Sequence, residues 1–150
     1  MQFYRDVGPV DITIEGYGNP TFIPSLSGLW EHQAGYRWNG LTDEPILDWN
    51  DEWIVVADEG GDPYIYCQDK VFLAQHGSGV WEPDEIYSNL NLMAACLATL
   101  GAVVLDGGDE FTDEDSCVRP VFRAEAISRL ADILGDKNKA EAIVITAGWG

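Results

Sequence analysis

Three side chains in the middle of the sequence are of the types that serine hydrolases use. His76 precedes a Gly-Ser-Gly turn that contains Ser78, and Asp62 lies upstream, close to His76 if the intervening segments form a meander. A Ser-His-Asp relay requires hydrogen bonds that join all three side chains, and the chain has no G-x-S-x-G elbow. A lone histidine at a strand end more often bonds a backbone group. We therefore expect no catalytic residue, and acyl transfer through Ser78 and His76 stays as the enzymatic alternative.

Two acidic segments that contain glycine could offer the oxygen ligands that calcium prefers. Residues 58–62 have the sequence Asp-Glu-Gly-Gly-Asp, and residues 106–115 contain six acidic side chains. Neither segment has the EF-hand spacing, with its fixed glycine and its closing glutamate. Because acidic loops are usually solvated, we expect no metal site. Calcium binding is an alternative that a thermal shift, reversed by chelator, would reveal.

The cysteines and glycines form no cofactor motif. Cys67, Cys96 and Cys117 contain no C-x-x-C pair and the chain has two histidines, so neither a zinc site nor a disulfide framework is expected. The nucleotide-binding patterns G-x-G-x-x-G and G-x-x-x-x-G-K-[ST] do not occur in the sequence. No cofactor is therefore expected.

Negative charge is concentrated in the central part of the chain. Between Trp38 and Val118 the sequence has eighteen acidic residues and one basic residue, Lys70. This window carries a formal charge of −17, and the whole chain carries −18. A field of one sign repels nucleic acid and anionic lipid and attracts cationic partners, although a charged surface can also serve solubility alone. We expect neither nucleic acid nor membrane as a partner.

The same window contains aromatic side chains that an interface could use. Acidic rims around partly exposed rings are typical of a protein-binding face for a basic partner, whereas rings inside a small sheet would form its core. Trp53 is expected in the core. Residues 43–62 are the first choice for the binding face and residues 106–115 are the second. The expected contact residues are Asp43, Glu44, Trp49, Asp58, Glu59, Asp62, Tyr64, Asp109, Glu110 and Asp113.

Short apolar runs in the first half of the chain predict strands. Residues 53–57, 64–67 and 71–74 are rich in β-branched and aromatic side chains, and short connections separate them, which predicts an antiparallel meander. Alternation over residues 10–14 predicts an earlier half-buried strand that ends at Gly16. A short helical turn is expected over residues 29–33.

The second half of the chain has helical periodicity. Ser88 or Asn89 can cap a first helix that ends at Gly101, and residues 103–105 could then form a short strand. Strands followed by helices indicate an α+β fold.

Two more helices are predicted near the C-terminus. The first carries an apolar face over residues 122–134 and ends at Gly135. The second is capped by Asp136 and stops at Gly148.

Length and composition favour one domain over residues 1–150. Hydrophobic residues make up 46% of the chain, which is enough for a core. No apolar run approaches the roughly 18 residues of a membrane span, and the N-terminus has no basic-then-apolar signal. A cytoplasmic protein is expected.

An ordered set of short motifs runs through the central sequence. A Trp precedes a short strand that ends in Ala, then come a Gly-Gly-Asp-Pro turn, a Val-aromatic strand, a His-Gly turn and a helix opened by Ser. These features are Trp53, Ala57, Gly60-Gly61-Asp62-Pro63, Val71-Phe72, His76-Gly77 and Ser88. The set covers about residues 35–100 and resembles the SMI1/KNR4 family, also called the SUKH superfamily. Residues 120–149 are similar to an extension of some bacterial members, whereas the first 34 residues lack the family's opening helix, Leu-Pro segment and Asn-Gly turn.

The resemblance implies a bent antiparallel sheet packed by helices and a role without catalysis. Bacterial members are regarded as immunity proteins that neutralise toxin domains of polymorphic toxin systems, often nucleases or deaminases. The partner expected is therefore a cognate basic toxin domain, with the chain itself a monomer or weak homodimer. Reversing Asp58, Glu59 and Asp62 to lysine is expected to slow association and to leave the fold intact. The alternative is a housekeeping scaffold with several partners, as in fungal members.

Overall fold

All six strands precede the three long helices along the described part of the chain. The computed structural model describes residues 2–6, 10–77 and 79–150, and within them it contains six strands and four helices. The strands are β1 (Ile12–Ile14), β2 (Thr21–Ile23), β3 (Ile54–Glu59), β4 (Asp62–Cys67), β5 (Lys70–Leu73) and β6 (Asp84–Tyr87). The helices are α1 (Gln2–Asp6), α2 (Leu90–Gly107), α3 (Pro120–Leu134) and α4 (Lys137–Thr146). The predicted α+β class is confirmed.

The six strands form one open antiparallel sheet in the order β1-β2-β3-β4-β5-β6. The predicted meander is confirmed as β3, β4 and β5, but its first turn is tighter than expected. Asp58 pairs with Pro63, and Glu59 pairs with Asp62, so these residues belong to strands. Gly60 and Gly61 make the whole turn because both adopt the positive φ, 62° and 100°, that glycine tolerates best.

Strands β2 and β6 were not predicted, and β1 differs from the prediction. β1 begins at Ile12, whose side chain is 37% exposed. Val10, which precedes the strand, is 70% exposed. The strand itself is confirmed, but it ends at Ile14, and Ile14 alone of the three apolar residues of the predicted face is partly buried. The physical reason is position, since β1 is an edge strand with a single neighbour.

Helix α2 is longer than predicted. Gly101 lies inside it, and the residues of the proposed short strand at 103–105 are helical. Glycine is required here by packing, because a Cβ at Gly101 would lie 2.5 Å from Cγ2 of Ile14 and 3.2 Å from the carbonyl oxygen of Glu15.

The length of this helix also bears on the expectation about membranes. Residues Leu90–Glu110 have the length and the mean hydropathy, 1.7, of a helix that could cross a membrane, which corrects the expectation that no run approaches this length. The core helix of a soluble protein passes the same test, and 44% of the window is buried inside the fold.

The C-terminal helices follow the predicted signals. Gly135 ends α3 in the left-handed conformation, with φ 66°. Asp136 caps α4, because its carboxylate accepts hydrogen bonds from the backbone N–H groups of Asn138 and Lys139. Both caps confirm the sequence interpretation.

The contacts divide the chain into two compact units. The first comprises Met1–Thr13 and Thr21–Asn91, and its core includes Trp49, Val55, Ile65 and Ala74. The second comprises Ile14–Pro20 and Leu92–Gly150. In its core the ring of Phe111 lies 5.0 Å from Trp149 and 5.6 Å from Phe122.

Candidate functional site

The turn at residues 38–45 is held in one conformation by backbone hydrogen bonds. Trp38 forms a bridge with Pro45, and the N–H of Asn39 donates to the carbonyl of Glu44 at 2.8 Å. The side-chain oxygen of Asn39 accepts from the N–H of Leu41 at 2.9 Å, and Asp43 adopts the left-handed conformation with φ 58°. The turn therefore presents its tip residues in a preorganised arrangement.

The turn at residues 38–45 and the segment that follows it, residues 46–52, are here called the 38–52 loop. This loop carries acidic side chains and exposed apolar side chains. Leu41 and Leu47 are 96% and 95% exposed. The loop carries five carboxylates, all exposed, and within the described residues Asp51 alone among them has an ion pair. They are Asp43, Glu44, Asp48, Asp51 and Glu52. Uncompensated acids beside exposed leucines are a combination that solubility alone does not require.

Beside the loop lies a cavity of about 450 Å³, here called the tryptophan pocket. Its lining comprises Trp30, Arg37, Trp38, Asp43, Pro45, Ile46, Trp49 and Asp51. The rings of Trp30 and Trp38 lie 4.9 Å apart and are tilted by 37°. The pocket combines indole surface with two carboxylates and one guanidinium.

Arg37 occupies part of this pocket. Its Cζ lies 5.7 Å from the centroid of the Trp30 ring, which is a cation–π distance. Its Nη2 donates to Oδ1 of Asp51 at 3.2 Å, and its Nη1 donates to the carbonyl of Trp53 at 3.3 Å. Asp51 is thereby paired with Arg37, whereas Asp43 has no ion pair within the described residues.

Trp49 and Tyr64, both predicted to contact a partner, are buried at 6% and 4% exposure. The Trp49 ring packs edge-on against Trp53 and Trp81, and it reaches the tryptophan pocket from the core side. Tyr64 stacks with Tyr87, and burial raises its pKa well above the usual range. Tyr64 therefore anchors the fold, whereas Trp49 belongs to the core and also forms part of the pocket wall.

The predicted hairpin acids Asp58, Glu59 and Asp62 are engaged in contacts of their own. Oδ2 of Asp58 lies 3.1 Å from Nε2 of His32, without the alignment of a hydrogen bond. Oδ1 of Asp62 lies 2.6 Å from Nδ1 of His76 and accepts the backbone N–H of His76 at 2.7 Å. Reversing these acids to lysine would remove internal contacts, so the expectation that the fold stays intact is weakened.

Glu59 is partly buried, and its carboxylate accepts a hydrogen bond from the Tyr64 hydroxyl. Burial raises its pKa above the ordinary value, the Tyr64 hydroxyl at 3.4 Å lowers it, and Asp62 raises it. The carboxylate of Glu59 is therefore partly desolvated by the fold.

The two histidines of the chain line a second cavity of about 510 Å³. Asp58, Tyr36 and Trp81 also line it. The predicted proximity of Asp62 to His76 is confirmed, but Ser78 lies outside the described residues. Among the described lining residues no serine, threonine, cysteine or lysine accompanies the histidines. The Asp62–His76 contact ties the segment after β5 to the β3–β4 hairpin.

The second predicted face, residues 106–115, lies in the second unit. Glu110 pairs with Arg119 at 2.6 Å, and Oδ1 of Asp113 accepts the N–H groups of Asp115 and Cys117. Asp109 is exposed. In the described part of the chain no group of three acidic, histidine or cysteine side chains converges on a point where a metal ion could bind.

Trp30, Arg37 and Leu41 lie outside the predicted 43–62 face, and Leu47 lies within it but was not named as a contact residue. Leu47 lies between Glu44 and Asp48 in a turn-rich segment without a helix or strand period, and this pattern could have identified it. The position of Trp30 depends on a fold that brings residues 30–38 together, which the sequence pattern does not reveal.

Comparison of the chain with protein-family models, with curated proteins and with solved structures finds no match in any of the three.

Proposed function

We propose that this chain is a cytoplasmic, non-catalytic protein-binding domain of the SMI1/KNR4 type, an immunity protein that neutralises a basic toxin domain. The observation that carries the proposal is the 38–52 loop, where exposed leucines and unpaired carboxylates lie on a hydrogen-bonded turn and on the segment that follows it. Such a surface combines apolar contact area with a charge that selects a cationic partner.

The charge of the chain supports a fast encounter with such a partner. The formal charge of −18 gives long-range attraction to a basic protein and raises the association rate at low salt. Rapid capture suits an inhibitor that must bind a toxin before the toxin acts. A nuclease toxin with a basic substrate cleft fits this chemistry, because carboxylates can replace phosphates there.

The motif order of the sequence supports the family assignment. Trp53 directly precedes β3, and the glycine pair forms the β3–β4 turn. Val71 and Phe72 lie in β5, and His76 follows that strand. The resemblance implies a bent antiparallel sheet packed by helices, and the α+β class with an antiparallel sheet supports it.

Capture of the partner from lysate tests the proposal directly. The purified chain, immobilised, is exposed to lysate of the native cell at low and at moderate salt, and bound proteins are identified by mass spectrometry. One stoichiometric basic partner, lost progressively as salt rises, is expected. Several weak partners would favour the scaffold alternative, and a blank would overturn the proposal.

Charge reversal then tests the face. Replacing Asp43 and Glu44 by lysine should lower the association rate at least tenfold, on the order of the steering effects known for complementary interfaces. The matched control replaces Glu15 and Asp132 by lysine. Both acids are exposed and lie outside the loop, so the net charge changes by the same amount. Equal loss in both double variants would show that net charge, not this face, drives binding.

A further inference from the structure

We infer that the tryptophan pocket is the anchor site for one arginine side chain of the protein partner. The inference rests on the proposed function, because it names the partner group that the 38–52 loop receives. The inference goes beyond the proposed function because it assigns the binding of the partner to one cavity and names arginine as the side chain that enters it.

The chain itself shows that the pocket suits a guanidinium. Arg37 places its guanidinium over Trp30 and donates to Asp51, so one planar cation already binds by stacking and by a charge-assisted hydrogen bond. The neighbouring residue Trp38 and the acidic residue Asp43 line the same cavity. A second guanidinium would therefore find the same two kinds of group, the indole of Trp38 and the unpaired carboxylate of Asp43.

Asp43 is well placed for this role. Its backbone N–H donates to the carbonyl of Asn39 at 2.9 Å, and its left-handed conformation fixes the direction in which the side chain leaves the turn. The carboxylate is exposed and has no ion pair within the described residues. It can therefore accept two parallel N–H bonds from an arginine without first giving up a partner.

The other walls fit the apolar stem of arginine. Pro45, Ile46 and the edge of Trp49 supply hydrocarbon and ring surface, against which a three-carbon chain can pack. Arginine is preferred to lysine because its flat guanidinium stacks on an indole and forms a bidentate pair, whereas an ammonium is a compact and strongly hydrated charge. An anionic side chain is rejected by both carboxylates.

A titration with small probes tests the pocket without the partner. N-acetyl-arginine amide, its lysine analogue and its neutral citrulline analogue are added to the protein while the indole Nε1–H signals are followed by NMR. The arginine probe should shift the signals of Trp30 and Trp38, with a dissociation constant on the order of millimolar. Lysine should bind several-fold more weakly, and citrulline should cause no saturable shift.

Two variants distinguish binding at the pocket from the general attraction of a cation to the negative charge of the protein. Asp43→Asn keeps a residue that tolerates the left-handed conformation, and it should weaken arginine binding about tenfold. Glu44→Gln removes the same charge one residue away, outside the pocket lining, and should change binding less than about twofold, as expected of a screened surface charge.

The failure of this inference is distinguishable from failure of the proposed function. Absence of a saturable shift with arginine, equal binding of lysine or citrulline, or equal loss in Asp43→Asn and Glu44→Gln would each overturn the arginine pocket. Capture of a basic partner from lysate would still stand in that case. Conversely, a blank capture beside a specific arginine shift would remove the immunity role and leave the pocket.

Discussion

Gln33 pairs with the backbone of Val55 through both ends of its side-chain amide. Nε2 donates to the carbonyl of Val55 and Oε1 accepts its N–H, each at 2.8 Å. Strand β2 pairs with β3 only further along, at Asp58 and Glu59, so the amide takes the place of a neighbouring strand at Val55. Gln33 also donates to the carbonyl of Leu29 and is 1% exposed. These hydrogen bonds connect the turn that follows Trp30 to strand β3 of the sheet.

Replacing Gln33 by leucine should destabilise the protein strongly. The change leaves the buried N–H and carbonyl of Val55 without a partner, and each unsatisfied group costs about 1–3 kcal/mol. We expect a loss of about 2–4 kcal/mol in the free energy of unfolding, measured by urea denaturation. Gln75→Leu, at an exposed position, is the matched control and should stay within about 0.5 kcal/mol. Similar losses in both variants would refute the strand-like role of Gln33.

The role of Gln33 shows a limit of prediction from sequence. A glutamine in a turn-rich segment has no period that distinguishes a buried amide from an exposed one. The meander and the two C-terminal helices were predictable, because β-branched runs, Asp136 and Gly135 are local signals. Strand β6, with Asp84 and Glu85 in its four residues, lacks such a signal and depends on pairing with β5.

The candidate site was predictable in its charge but not in its geometry. Asp43 and Glu44 are exposed, as an acidic face requires. The hairpin acids lie on strands because Gly60 and Gly61 form the turn alone, and sequence spacing did not reveal this tightness. The cavity depends on Trp30 and Trp38 meeting across a turn, a contact set by the fold.

Glu59 should make stability depend on pH. Burial raises its folded-state pKa, so the folded protein holds this proton more tightly than the unfolded chain does. Its contribution to stability is therefore full below the ordinary glutamate pKa of about 4.3 and is lost as pH rises through the folded-state pKa. Glu59→Gln removes this loss, so the variant should gain stability relative to the parent as pH is raised from about 4 to 7.

Chemical denaturation of both proteins across that pH range measures the effect. Glu44→Gln, which makes the same substitution at an exposed position, is the control. A curve for Glu59→Gln that runs parallel to that of the parent would mean that the carboxyl of Glu59 is not desolvated in the folded state.

Gly101→Ala should destabilise the protein although alanine is the better helix former by about 1 kcal/mol. The new methyl group would lie 2.5 Å from Cγ2 of Ile14, which forces a shift in packing. Ile14→Ala removes that carbon, so adding it to Gly101→Ala should cause a smaller loss than Ile14→Ala causes alone in the parent. The melting temperatures of the four proteins in this cycle report the coupling, and strict additivity would contradict the close approach.

Leu41 and Leu47 should matter for binding and not for folding. Because both side chains are almost fully exposed, Leu41→Ser and Leu47→Ser are expected to change the free energy of unfolding by less than about 0.5 kcal/mol. Affinity for the captured partner should fall about tenfold, equivalent to about 1.4 kcal/mol, measured by calorimetry. Leu105→Ser, an exposed leucine in α2, is the control. If all three variants bound equally well, the loop leucines would lie outside the interface.

Removing Arg37 should improve the binding of an added arginine. Arg37→Met frees the carboxylate of Asp51 and the face of Trp30, and the pocket then offers two unpaired acids where it had one. We expect N-acetyl-arginine amide to bind about twofold to fivefold more tightly, because an ion pair with a carboxylate as exposed as that of Asp51 contributes up to about 1 kcal/mol. Arg37→Lys retains the charge without the planar fork, so its affinity for the arginine probe should lie between those of the parent and Arg37→Met.

Arg37→Met also loses the hydrogen bond to the carbonyl of Trp53, so its fold is checked by circular dichroism before the titration. Weaker binding in a folded Arg37→Met protein would show that Arg37 supports the pocket and does not compete for it.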